Sequence, residues 1–395
     1  MKNKRECDAA RVVCRISENV SEGGGEIKYY ASANSSRGFV NYYPKCFGES
    51  SRVTRLYVIK GGPGTGKSYF MRRAGKYAEA HGMLVEYYYC SSDPDSLDGI
   101  RITKPDGECL GLIDGTAPHA WEPMLPGARE EIVDLGSFWD GRVLGMSTEE
   151  IRSLMRKKSE CFGRAYKYLG AAGNMIEVSD ALVADCLLKE KMRAFACRLA
   201  RSICRAHCRE KQGGVFEVEP ALLSGIGMKG RVRFSTFSRL ASEIYEIEEL
   251  YGAGSALLGM LREEFSLLGA GGMKVSYDPV YPAHVDGIYL PSLGCSFLLS
   301  SGAESKSPEL DAREKHYVSV RRFTTPERMK TLRPEIRRAA ALTEELVTGA
   351  EKALALASEY HFGLEDIYKT AMDFSAKDSF EREFCERILD GKTKI

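Results

Sequence analysis

No stretch of this chain approaches the roughly 18 consecutive apolar residues that a membrane-spanning helix requires, so no membrane segment is expected. The basic start, Met1-Lys-Asn-Lys-Arg-Glu6, is followed by no apolar h-region, so no signal peptide is expected either. Charge of one sign is also missing. Lys and Arg number 56 against 55 Asp and Glu, a formal net charge of +1, and that balance gives no global signal for nucleic acid or a membrane surface. The 12 cysteines lack the spacing of a disulfide framework, which points to a reducing, cytoplasmic setting. What remains is a chain of 395 residues, 44% hydrophobic and 28% charged, the composition of a globular protein long enough for two domains.

The most informative segment is Leu56-Tyr-Val-Ile-Lys60 followed by Gly61-Gly-Pro-Gly-Thr-Gly-Lys-Ser68. An apolar, β-favouring run enters G-x4-G-K-S, and an amphipathic helix pattern follows from Tyr69, the strand–loop–helix context of a Walker A loop. Glycines in such a loop let backbone N–H groups turn inward around phosphate oxygens, and the new helix adds its positive end. The expected nucleotide contacts are Gly61, Gly62, Gly64, Thr65, Gly66, Lys67, Ser68 and Tyr69. Lys67 reaches the β- and γ-phosphates in this reading, and the Ser68 hydroxyl holds Mg²⁺. The third strand, Leu110-Gly-Leu-Ile-Asp114, ends in the carboxylate of a Walker B strand, so Asp114 is the second magnesium residue. A nucleoside triphosphate is therefore the expected partner. No guanine-reading segment stands out, which tilts the nucleotide toward ATP.

The chain also repeats itself. At an offset of 188, Leu56–Ile59 falls on Ile244–Ile247, Gly64 on Gly252 and Gly66 on Gly254. Gly82-Met-Leu-Val-Glu-Tyr87 resembles Gly272-Met-Lys-Val-Ser-Tyr277, Asp98-Gly-Ile100 matches Asp286-Gly-Ile288, and Cys109 falls on Cys295. Arg37–Tyr42 resembles Lys229–Phe234, and Glu150-Ile-Arg152 resembles Glu335-Ile-Arg337, each opening a helical pattern. The expected architecture is α/β: two tandem P-loop NTPase-like units, 30–212 and 220–388. Each would be a mostly parallel sheet with flanking helices and a C-terminal helical hairpin. Strands are expected near 55–60, 84–90 and 109–114, and near 243–248, 273–278 and 295–300. Hairpin helices are expected near 148–174 and 179–211, then 332–360 and 363–374, with Gly213-Gly214 opening the linker.

The repeat sorts the candidates. In the ungapped alignment Lys67 faces Ser255 and Ser68 faces Ala256, and at the end of the third strand Asp114 becomes Ser300, so the second copy has lost its phosphate and magnesium groups together. Asp98 recurs as Asp286 in that disabled copy and reads as a turn residue. Asp93, in Cys90-Ser-Ser-Asp-Pro-Asp95, has no acidic counterpart and is a candidate general base, although Ser-Asp-Pro-Asp is also a good turn. His119 follows the Walker B strand closely and either polarises the γ-phosphate or an attacking water, or fixes its loop. Arg72 and Arg73 read as helix charges or phosphate contacts, and Arg321-Arg322 or Arg337-Arg338 as an arginine finger. Cys197, Cys204 and Cys208, with His207 beside them, share a helical stretch and read as packing or as a metal site.

These segments together resemble an uncharacterised bacterial family of tandem P-loop ATPases. The resemblance rests on Gly61–Ser68, Cys90–Gly99, Leu112–His119, Pro126–Ile132, Leu135–Asp140 and the run from His361 to Phe374. It implies ATPase activity with ATP and Mg²⁺, and often a Walker-type loop in each half, a pattern from which Ser255, Ala256 and Ser300 depart. Three functions stay open: hydrolysis at a single site in the first half, phosphoryl transfer to an acceptor with Asp93 as base, and a non-catalytic nucleotide switch.

Overall fold

The structure is a computed structural model and describes residues 25–207, 217–300 and 314–389. The expected linker at Gly213-Gly214 lies outside the described residues. In the first unit, β1 (Ile27–Tyr30) enters a hairpin of β2 (Ser32–Ser35) and β3 (Gly38–Asn41), and short α1 (Tyr43–Phe47) follows. Then come β4 (Arg55–Lys60), α2 (Lys67–Ala80), β5 (Leu84–Tyr89), β6 (Leu97–Thr103), β7 (Cys109–Asp114) and β8 (Glu130–Asp134). The unit ends in α3 (Gly141–Met146), α4 (Thr148–Ala184) and α5 (Lys189–His207). The second unit repeats most of this series with β9 (Val218–Pro220), β10 (Ser224–Gly227), β11 (Gly230–Arg233), α6 (Thr236–Leu240) and β12 (Glu243–Ile247). It continues with α7 (Ala253–Leu268), β13 (Met273–Tyr277), β14 (Val285–Leu290), β15 (Cys295–Leu299), β16 (Glu314–Val318), α8 (Pro326–Thr370) and α9 (Phe374–Leu389).

Each unit carries one six-stranded mixed sheet, and the two share one strand order. The first runs β1-β5-β6-β7-β4-β8 and the second β9-β13-β14-β15-β12-β16. β4 lies parallel to β7 and β8, as β12 does to β15 and β16. β6 and β14 run antiparallel to both of their neighbours. This corrects the reading of Asp98-Gly-Ile100 as a turn: it lies inside β6. Leu97, Ile100 and Ile102 are buried there, and the pairing skips Asp98 in a bulge, as it skips Asp286 in β14. A bulge lifts one polar residue out of the alternation, which is why an Asp-Gly pair imitates a turn.

The helices also depart from expectation. α4 runs unbroken for 37 residues through the expected break near 174–179, and α8 for 45 residues through the break near 360–363. Glu335 lies inside α8, which starts earlier, with Pro326 at a first-turn position where its missing N–H costs nothing. Gly173, just before the expected break, serves close packing, because an added Cβ would sit 2.4 Å from the Ser36 side chain.

Nor do the two long helices close back as hairpins on their own units. α4 packs along α8 in antiparallel register, with Leu154 against Gly363, Lys157 over the Tyr360 ring and Tyr168 against Gly349. Each then delivers its successor to the opposite unit: α5 packs on α7, and α9 packs on α2. Paired backbone bonds fix both junctions. Asp140 N–H donates to Ala371 O and Asp373 N–H to Phe138 O, each at 2.8 Å. At the pseudo-equivalent place Leu188 N–H donates to Phe323 O and Thr325 N–H to Cys186 O, also at 2.8 Å. The units exchange their last helices, so the sequence segments 30–212 and 220–388 are interlocked in space.

Between the sheets lies a buried ion network that the sequence did not announce. Arg101 donates to Glu86 at 2.7 Å and to Glu219 at 2.6 Å, and Lys274 reaches Glu86 at 2.9 Å and Glu219 at 3.2 Å. Tyr88 pairs with Gly99 and Ser276 with Gly287 just before the two bulges, which makes Glu86 equivalent to Lys274 and corrects the sequence alignment that set Glu86 against Ser276; the pseudo-twofold relation brings opposite charges together. Burial pushes both carboxyls up, but Arg101, Arg52 and Lys274 hold Glu86, and Arg101 and Lys274 hold Glu219, below the ordinary carboxylate range. Among the described residues no helix is long and apolar enough to cross a membrane.

Candidate functional site

The loop between β4 and α2 takes its shape from three glycines with positive φ: Gly61 at 155°, Gly64 at 72° and Gly66 at 85°. These are conformations that side chains with a Cβ resist. Gly66 is the left-handed residue before the helix, so the first N–H groups of α2 face the loop without intrahelical partners. Lys67 folds across the loop and donates to Gly61 O at 2.8 Å and Gly62 O at 2.9 Å. Its ammonium also lies 3.5 Å from Asp114 Oδ2 at the end of β7. Asp114 Oδ1 accepts from the Thr116 N–H at 2.9 Å and the Thr116 hydroxyl at 2.6 Å, which fixes the carboxylate's rotation. Ser68 Oγ accepts from Leu97 N–H at 2.8 Å, leaving a second lone pair for another partner.

Lys67 and Asp114 therefore meet at the loop end of β4 and β7, with Ser68 next to Lys67 in the first turn of α2 and its hydroxyl toward the start of β6. The donor set fits a polyphosphate: one ammonium, a glycine cradle whose shape excludes side chains, and helix-start N–H groups. The hydroxyl and carboxylate oxygens suit a hard cation such as Mg²⁺. Thr65 is buried and its hydroxyl donates to Gly62 O at 2.9 Å, so it braces the loop from within. Tyr69 is 58% exposed at the start of α2.

His119 sits differently from a water-activating base. Nδ1 is 2.9 Å from Asp114 O and Nε2 is 3.2 Å from Asp98 Oδ2, so both ring nitrogens are engaged. Tyr43 and Phe39 flank the ring. Burial opposes its charge, but the Asp98 carboxylate outweighs burial and raises its pKa to about 9. The imidazolium clamps the loop after Asp114 to the β6 bulge. Asp93 lies in a turn: its carboxylate accepts from Asp95 N–H at 3.2 Å and its carbonyl from Ser96 N–H at 3.0 Å.

The arginine candidates are engaged elsewhere. Arg72 donates to Asp95 O at 3.1 Å, and Arg73 lies 3.7 Å from Glu381. Arg321 pairs with Glu248 at 2.6 Å in the second unit, and Arg322 stacks on Phe195 and Phe323. Arg337 and Arg338 are solvent-exposed in the first part of α8, far along that helix from its contact with the loop. Cys197 and Cys204 are half-buried on α5, and Cys204 packs against the core of the second unit. Cys208 lies outside the described residues.

Sequence reasoning missed what covers the loop. The last turns of α8 press on it: an added Cβ on Gly62 would lie 2.6 Å from the Tyr368 ring, and one on Gly64 2.6 Å from Glu365 O. Lys377 of α9 stands 3.4 Å from the Cβ position of Gly66 and pairs with buried Glu381 at 2.7 Å. The only signal in the sequence was the run from His361 to Phe374, which carried no chemical meaning without the helix exchange.

The loop of the second unit is corrected in alignment and clarified in chemistry. Gly252, at φ 95°, is the left-handed residue before α7, so it is the counterpart of Gly66, and the loop has lost two residues. Lys67 therefore matches Ala253 and Ser68 matches Gly254, not Ser255 and Ala256. Ile59 pairs with Asp114 and Ile247 with Leu299. Leu299 thus takes the place of Asp114, Ser300 that of Gly115, and Cys295 that of Leu110. The lost groups are the same three in kind. In addition, Glu249 turns its own carboxylate into this loop, accepting from Gly252 N–H and, at 3.1 Å, from Ser255 N–H. Two of the N–H groups at the start of α7 are thus satisfied by a carboxylate of the chain itself.

Thr103-Lys-Pro-Asp106 has the letters of a guanine-reading motif, contrary to the expectation that none stands out. It forms the turn between β6 and β7, closed by Lys104 N–H to Glu108 O at 2.8 Å. That turn lies at the opposite end of β7 from Asp114, so it cannot read a base held at the loop. No family model, curated protein or solved structure matches this chain.

Proposed function

We propose that this protein binds a nucleoside triphosphate, ATP by preference, at a single P-loop site in its first unit and hydrolyses it with Mg²⁺. The observation that carries the reading is the meeting of Lys67 and Asp114, with Ser68 next to Lys67, at a glycine cradle whose neighbours leave no room for a Cβ. Lys67 would exchange its bonds to Gly61 O and Gly62 O for phosphate oxygens, holding the β–γ bridge as a point charge. Ser68 and Asp114 would hold the magnesium ion, whose charge offsets that of the transferred phosphoryl group. His119, with both nitrogens engaged, keeps the backbone at Asp114 in place. The second unit, with Glu249 closing its loop, acts as a structural and regulatory partner.

One observation favours a second reading, a nucleotide-dependent switch: neither His119 nor Asp93 offers an obvious base for water. In that reading nucleotide binding alone alters the contact between the loop and the end of α8. Steady-state ADP release by the purified protein with Mg-ATP, measured beside Lys67→Ala, tests the proposal. Turnover that disappears in the variant supports hydrolysis. Saturable binding without turnover selects the switch.

A further inference from the structure

Resting on that nucleotide-site reading, the geometry points to Lys158 of α4 as a second phosphate-contacting cation, supplied to the first unit's site from above the loop. The face of α4 that packs on α8 and the sheets runs through Leu154, Lys158, Cys161, Ala165, Leu169 and Ala172, spaced four, three, four, four and three apart. Cys161, Ala165, Leu169 and Ala172 are buried, and Leu154 lies against Gly363. Lys158 is a lysine in a stripe that is otherwise apolar or small. A charge at such a seam position costs stability, so a bland packing role does not account for it.

The register of α4 on α8 shows what this position faces. Lys157 covers Tyr360 and Leu154 meets Gly363, which places Lys158 beside the turn of α8 leading to Glu365. The Glu365 carbonyl is the atom that abuts Gly64 of the loop. Lys158 makes no hydrogen bond or ion pair among the described residues. Its electrostatic neighbours are Cys90, Lys67 and Glu365. The Glu365 carboxylate is already held by Lys369 at 2.9 Å and lies 3.5 Å from His361. Burial and the like charge of Lys67 oppose the Lys158 ammonium, and its pKa is lowered. The Lys67 and Lys158 ammonium groups thus border one mouth: Lys67 has the Asp114 carboxylate within 4 Å, and Lys377 beside Gly66 pairs with Glu381 and Asp378, while Lys158 has no such partner among the described residues.

A polyanion between them relieves that repulsion. Lys67 comes from the loop, and Lys158 from a helix held in place by its partner from the other unit. The outermost phosphate, which is the one farthest from the loop floor, is the group that Lys158 meets. The site would therefore distinguish triphosphate from diphosphate, and any shift of α4 along α8 would alter that distinction.

The test is calorimetric binding of Mg-ATP and Mg-ADP to the full chain as wild type, Lys158→Met, Lys158→Arg and Lys67→Ala. Lys158→Met is expected to weaken ATP about tenfold or more while changing ADP less than about twofold. Lys158→Arg retains most of the discrimination. Thermal unfolding without nucleotide separates this from a structural role: the Met variant should melt at the same temperature or higher, because it removes a half-buried unpaired charge. An unchanged ATP-to-ADP ratio in a folded Met variant overturns the assignment of Lys158 and leaves the nucleotide site standing. A wild-type chain that binds neither nucleotide, or a Lys67→Ala chain that binds both normally, overturns the site itself and the inference with it.

Discussion

At the scale of single residues, the loop is governed by what cannot be added to it. Gly64 combines a positive φ with a Cβ direction that ends 2.6 Å from the Glu365 carbonyl, a backbone atom that cannot rotate away. Gly64→Ala should cost about 1–2 kcal/mol from backbone strain alone. It should also push α8 off the loop, lowering nucleotide affinity with little change in helix content by circular dichroism. His119 makes a second residue-scale prediction. Its folded pKa of about 9 exceeds the ordinary value of 6.5, so its stabilisation is fully present below pH 6.5 and is lost as pH rises through 9. Denaturant midpoints across that window should fall in the wild type and lose this component in His119→Gln.

At the scale of elements, exchanged helices explain why each half depends on the other. α9 seats Phe384 edge-on against Phe70 of α2 and Tyr57 of β4, with ring centroids 5.2 and 5.0 Å apart. Phe384 is 2% exposed. Phe384→Ala should therefore destabilise the first unit by about 3–5 kcal/mol, read as a lower midpoint in denaturant unfolding, although the residue lies far along the chain from that unit. The expected strands β4, β5, β7, β12, β13 and β15 and the loop were legible because their signals are local: a period-two apolar run, then glycines, then an amphipathic turn. Strands β8, β14 and β16 were not expected. β6 was not, since its bulged Asp98 imitates a turn. The helix exchange was invisible because α5 and α9 carry an apolar face wherever they dock, and sequence does not say which surface receives it. The two-residue loss in the second loop escaped an ungapped alignment, while the disappearance of the lysine and hydroxyl did not. The meeting of Lys67 and Asp114, with Ser68 next to Lys67, follows from motif spacing. The covering residues Tyr368, Glu365 and Lys377 follow only from the exchange.

At the scale of the whole molecule, the two sheets meet across a charge network whose members come from both repeats. Glu86 and Glu219 titrate below their ordinary value of 4.5 in the folded state, so they add stability above that pH, and it is lost as pH falls below 4.5 toward 2. Acid unfolding should begin in this range, and Lys274→Met, which removes one of the two cations that Glu86 and Glu219 share while Arg101 still holds both, should lower stability at neutral pH by about 1–3 kcal/mol. The interlocked helices also predict one cooperative unfolding transition for both units, observable as coincident curves by tyrosine fluorescence and circular dichroism. Such a body holds one loop with a lysine and one loop filled by Glu249. The most direct test of this account is the stoichiometry of Mg-ATP binding by titration calorimetry. One site per chain, abolished by Lys67→Ala and unchanged by Glu249→Gln, is the predicted result. Two sites per chain, or binding that survives loss of the Lys67 ammonium, would contradict it.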